Sequence, residues 1–105
     1  IWAKSLDTPA RIGLSIDNHG TVLSHKIEIE REFTFAIDDV GEVNGLKFRI
    51  YAFKTLERNM RTGFAYAKVI KRVYGRLLPR NDKSKVKYDL SEYVIKTTIK
   101  EKDYN

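Results

Sequence analysis

Cysteine is absent from the 105 residues, which excludes disulfides and thiolate metal sites within them. Glutamine is absent too, and proline occurs only twice. No apolar run approaches the roughly 20 residues that cross a bilayer as a helix. Neither an initiator Met nor a basic-plus-apolar leader opens the chain. These absences give the expectation of a cytoplasmic protein with no membrane partner. The opening pair Ile1-Trp2 reads as the inside of a strand, with residues missing upstream. There is no nucleophile-elbow spelling and no glycine loop of the kind that cradles phosphates. Asp38, Asp39 and Glu42 form an acidic corner, but neighbours on a strand point to opposite faces, so they do not read as a converging catalytic pair. An enzyme is not expected. His19 and His25, six positions apart with no cysteine nearby, do not spell a metal site.

What is present is charge and alternation. Lys and Arg number 20 against 14 Asp and Glu, a net charge of +6, while 42% of residues are hydrophobic. That balance is that of one ordinary globular domain. A glutamine-free, Lys/Arg/Glu-rich chain also suits a hot-growing organism. The charge is uneven: residues 1–50 carry six basic and eight acidic groups, whereas 54–76 carry seven basic groups against Glu57 alone.

Alternation lays out the strands. The clearest stretch runs from Phe33 to Leu56. Phe33, Phe35 and Ile37 alternate with Thr34 and Ala36, and Leu46, Phe48 and Ile50 alternate with Lys47 and Arg49. Period 2 puts each apolar set on one face. Asn44-Gly45 between them tolerates the positive φ angles of a tight turn, so the expectation is a hairpin joining these two runs. A lone hairpin cannot bury its apolar face, and the rest of the chain must wrap it. Ile12, Leu14 and Ile16 form another strand, Asp17 to Gly20 a turn, and Leu23 to Ile29 the returning strand. Val86 to Leu90 and Tyr93 to Ile99 read as two last strands.

The run Phe64 to Tyr74 fits a strand, but Tyr66, Ile70, Val73 and Leu77 also fit a helix. An internal echo favours the strand. Ile1 to Leu6 resembles Val73 to Leu78, and Arg11 to Ile16 resembles Lys85 to Leu90. The expected organisation is a single β domain over 1–105, with one unit at 1–72 and a partial second unit at 73–105. The expected fold is all-β, a small antiparallel barrel (SH3-like or similar) or a sandwich with partial internal duplication.

Trp2-Ala3-Lys4, the Val40-Gly41-Glu42 corner, Phe48-Arg49-Ile50 and Ala67-Lys68-Val69-Ile70-Lys71-Arg72-Val73-Tyr74 resemble an uncharacterised archaeal family. Its members look like an N-terminal zinc-ribbon followed by a duplicated β domain, and the resemblance covers residues 1 to about 78. It implies that this chain is the C-terminal β part and that zinc, if held, is held by cysteines upstream of Ile1. It also implies a place in the transcription or translation machinery.

The basic segment is the candidate site. Lys68, Lys71, Arg72 and Arg76, interleaved with Tyr66 and Tyr74, offer phosphate contacts and stacking surfaces. Arg58 and Arg61 add reach from the preceding loop, and Lys83 and Lys85 repeat the pattern beside Tyr88. The ordinary alternative is a solvated face with the tyrosines at the core edge. The reading is a non-enzymatic module docking on RNA, DNA or a nucleoprotein complex. The alternative is a protein-interaction module that binds an acidic partner or adds a sheet edge.

Overall fold

Burial follows the alternation. In the first strand, β1 (Ala10–Asn18), Ala10, Ile12, Leu14 and Ile16 are buried. Opposite it, β2 (Thr21–Ile29) buries His25, Ile27 and Ile29. The two pair antiparallel from Ala10↔Ile29 to Asn18↔Thr21. The computed structural model describes residues 8–18 and 20–101. The expectations for the chain's opening and for His19 lie outside these residues.

Asn44 and Gly45 have φ of 51° and 84°, the pair of positive angles a two-residue hairpin turn requires. The strand this turn joins to β5 (Leu46–Thr55), however, is β4 (Val40–Val43) and not Phe33–Ile37. The expected hairpin is corrected here, and the cause is local. Asp38 takes a φ of 74°, and Asp39 Oδ2 accepts the Ala36 N–H at 3.1 Å. The chain bends there. It sends β3 (Thr34–Ala36) to a separate two-stranded sheet with β7 (Phe64–Tyr66). Gly41 consequently sits within β4, not in the turn.

The larger sheet also includes β6 (Asn59–Met60), β8 (Ile70–Leu77), β9 (Tyr88–Asp89) and β10 (Val94–Glu101). Its order is β10-β2-β1-β8-β5-β4-β9, with β6 paired to β5. The fold is all-β and the sheet curls into a half-barrel. Residues 64–77 are extended apart from a single 3₁₀ turn at Ala67–Val69, so the helical spacing does not prevail. One expectation needs refinement: the sheet is mixed, not wholly antiparallel. β1 pairs parallel with β8, and β4 with β9. Both pairs are joined by long excursions, and only a tight turn would have forced the antiparallel sense. Of the echoed segments, 11–16 lies in the nine-residue β1, while 85–90 contributes only the two-residue β9. Leu90 is nonetheless fully buried.

The inner face of the curl is filled. Phe35, Phe48, Phe53, Leu14, Ile50 and Val73 are inaccessible to solvent. A Cβ on Gly41 or Gly75 would lie 2.7 Å from the Phe48 ring, so both glycines give this ring its seat. Phe33 and Phe35 stack at 4.8 Å, and Tyr88 closes on them at 5.2 and 5.7 Å. The Tyr88 hydroxyl donates to Asp39 Oδ2 at 3.2 Å. Burial, reinforced by that carboxylate, pushes its phenol far above the usual tyrosine range. Asp39 is thus committed to holding the bend. Among the described residues no helix is long and apolar enough to cross a membrane.

Candidate anion-binding face

Strand alternation that points Ile, Leu and Phe inward must point their neighbours outward. On β8 the outward residues are Arg72, Tyr74 and Arg76, between buried Val73 and Gly75. Register then fixes what stands beside them. Arg72 pairs with Gly13 on one side and Lys54 on the other, and Gly13 pairs with Lys26, which pairs with Lys96. A single cross-strand row therefore reads Lys54, Arg72, Gly13, Lys26, Lys96. At ~4.8 Å per strand it spans roughly 19 Å. Four residues along β8, Arg76 stands opposite Arg49.

This face holds three like-charge cross-strand pairs: Lys26 with Lys96 and Lys54 with Arg72 in the row, and Arg49 with Arg76 farther along. Each such pair is destabilising, by roughly 0.2–1 kcal/mol, unless something neutralises it. Among the described residues none of these six side chains forms an ion pair. Of the face's carboxylates, Glu28 lies 3.8 Å from Arg11 at one end, and Asp17 stands opposite Arg76 across β1 and β8.

Arg72 is the fixed member. Its Nη1 donates to Ser15 Oγ at 2.6 Å and lies 3.5 Å from Ser24 Oγ. Beside it, Ser24, Lys26, Lys96 and Thr98 line a polar depression of about 170 Å³. A second depression, of about 220 Å³, is lined by Ser15, Asp17, Val22, Tyr51 and Tyr74. The Tyr51 and Tyr74 rings stand 6.3 Å apart, and the Arg76 guanidinium lies 5.4 Å over Tyr51. Cations and stacked phenols alternate here as a polyanion with planar groups would need.

The residues expected from the sequence divide. Arg72, Tyr74 and Arg76 are on this face. Lys71 is exposed at the irregularity where β5 and β8 shift register between Lys54 and Thr55. Lys83 and Lys85 are exposed in a segment fastened to the start of β5, beside the Arg49–Arg76 pair: Lys47 Nζ donates to the Asp82 and Ser84 carbonyls at 2.9 and 3.4 Å, and Arg49 to Ser84 Oγ at 3.3 Å. Arg58 and Tyr66 instead line an apolar cleft of about 400 Å³ with Leu56, Met60, Phe64 and Val69. Lys68 lies 5.4 Å over the Tyr66 ring and 3.7 Å from Glu32. Arg61 is exposed in the loop before β7. The continuous segment 54–76 therefore does not form one wall. Lys54, the first residue of the basic segment, is on this face, whereas the sequence reading missed Lys26, Arg49, Tyr51 and Lys96. Lys26, Arg49 and Tyr51 sit at outward parity positions beside buried residues, a signal that counting charge along the chain does not register, and Lys96 is placed by its pairing with Lys26.

His25 is the buried polar residue of the inner face. Its Nδ1 meets Thr97 Oγ1 at 3.0 Å, while Nε2 has no partner among the described residues. Burial lowers its pKa, so the ring is neutral at pH 7. No group of three or more His, Cys, Asp or Glu able to hold a metal occurs among the described residues. With no cysteine in the sequence, these residues do not fit a zinc site.

Residues 1–76 match the CPxCG-related zinc finger family. The chain is also 35% identical over 75 residues to an uncharacterised protein of Methanocaldococcus jannaschii, an alignment covering 71% of this chain and 36% of that protein. The chain thus spans about a third of the length of the curated relative it matches. No solved structure matches it significantly.

Proposed function

The chain belongs to the CPxCG-related zinc finger family, and on that premise we propose that it is the β part of a larger, non-enzymatic module that docks on nucleic acid through the outer face of its sheet. The observation that carries this reading is the row across five strands in which Lys54 faces Arg72 and Lys26 faces Lys96 with no ion pair to either among the described residues. Such a row is locally unfavourable, and a polyanion laid across it removes the repulsion. Phosphate contacts supply affinity, and Tyr51 and Tyr74 supply stacking surfaces for bases. Nothing on this face enters a groove to read base edges, so the proposed binding is single-stranded and tolerant of sequence. Zinc belongs, in this reading, to cysteines upstream of Ile1. The test is fluorescence anisotropy with a labelled single-stranded RNA and its DNA counterpart over a salt series. The expected result is an affinity that falls with salt, by a log–log slope of about 0.7 per phosphate contacted. No binding at low salt, or binding indifferent to salt, overturns the reading.

A second reading has its own observation. Leu56 and Phe64, 63% and 60% exposed, cluster with Tyr66 and Val69 at the β6–β7 cleft, which favours a protein partner there. A complex that survives nuclease treatment and is lost in Phe64→Ser supports it.

A further inference from the structure

A glycine in the middle of a central strand costs roughly 0.5–1 kcal/mol against alanine. Gly13 is such a residue, buried between Ile12 and Leu14 and paired on both sides. What occupies the space of its missing side chain is the head of Arg72. A Cβ built on Gly13 would meet Arg72 Cζ at 2.7 Å, Nη2 at 2.8 Å and Nε at 3.1 Å. The guanidinium therefore lies flat on bare backbone, with Nη1 anchored by the Ser15 hydroxyl at 2.6 Å. Among the described residues Nη2 and Nε make no hydrogen bond, and no carboxylate pairs with them. A planar fork with free donors, immobilised by its own fold, matches two oxygens of a tetrahedral oxyanion. The depression beside it adds Lys26 and Lys96 as point charges, and Ser24 and Thr98 as hydroxyl donors.

We infer that the Gly13–Arg72 cradle, with Lys26 and Lys96, is a discrete phosphate-group site, the fixed point at which a nucleic-acid backbone is gripped. This rests on the docking reading above but makes a narrower claim. Diffuse electrostatic attraction depends only on total charge, whereas a fork site depends on where one guanidinium lies.

Two charge-conserving variants of the full-length protein separate these. Gly13→Ala forces the guanidinium off its seat. The atoms in the way are the flexible end of Arg72, so the strand itself need not move. Arg72→Lys keeps the charge and removes the fork. Gly13→Ala is expected to keep the wild-type melting temperature or exceed it and Arg72→Lys to stay folded, with both binding a single-stranded RNA about tenfold more weakly at fixed salt. Wild-type affinity in both variants overturns the site while leaving diffuse docking intact. If the wild-type protein binds no oligonucleotide, inorganic phosphate titrated against the Arg72 Nε–H NMR signal decides the matter. A saturable shift that Gly13→Ala abolishes upholds a phosphate site for a free small ligand. No shift overturns it.

Discussion

The two faces of the curled sheet are built from the same strands and yet are stabilised in opposite ways. Inward residues make a close-packed interior in which Phe48 spans three strands because Gly41 and Gly75 leave it room. Outward residues set Lys against Lys and Arg against Arg. The inner face is satisfied by the protein itself, and on the docking reading proposed above the outer face is satisfied by a bound polyanion. Local conflict of this kind, in a chain otherwise consistent from alternation to packing, is what that reading expects where function outweighs stability.

The contrast predicts that stability and binding separate by face. Phe48→Ala removes a fully buried ring and should cost about 3–5 kcal/mol, read from the urea midpoint. Its effect on nucleic-acid affinity should vanish wherever the variant is still folded. Reversing Lys26, Arg72 and Lys96 together to Glu should do the converse. Affinity falls on the order of 100-fold, because three charge-assisted phosphate contacts become repulsive. Circular dichroism should stay that of the wild type. A triple variant that binds normally would mean the wrong face was chosen.

Smaller effects sharpen the comparison. Lys96→Glu alone places a carboxylate opposite Lys26. It should stabilise the fold by about 0.2–1 kcal/mol while weakening binding. A loss of stability would remove the argument from frustrated pairs. On the inner face, His25 is the one buried polar side chain among the described residues. Its folded pKa lies below the ordinary 6.5 because burial disfavours the imidazolium. The unfolded chain takes up the proton first, so this contribution is complete above pH 6.5 and declines as pH falls toward the folded value. The melting temperature should drop modestly between pH 7 and 5, and His25→Gln should flatten that slope.

Alternation alone located β1, β2 and β5, along with the Asn44-Gly45 turn, because burying one side of a strand imposes a period that residue order must carry. It failed at Phe33–Ile37, which alternates as well as any strand here. The partner of that segment is set by the bend at Asp38, and Asp is only mildly favoured at positive φ. The echo of 11–16 in 85–90 gave no sign that one segment is a nine-residue strand and the other largely irregular.

The residue order by itself determined that this chain is all-β, which side of each main strand is apolar, and that cationic charge exceeds anionic. Only the tertiary structure decided which cations meet. Lys26, Lys54, Arg72 and Lys96 come from four strands scattered over 71 positions, and they share one row because of pairing register and a parallel β1–β8 crossing. Pairing register is a long-range property. Hydrogen bonds between strands can be satisfied in many alignments, and it is the packing of the buried side that selects one.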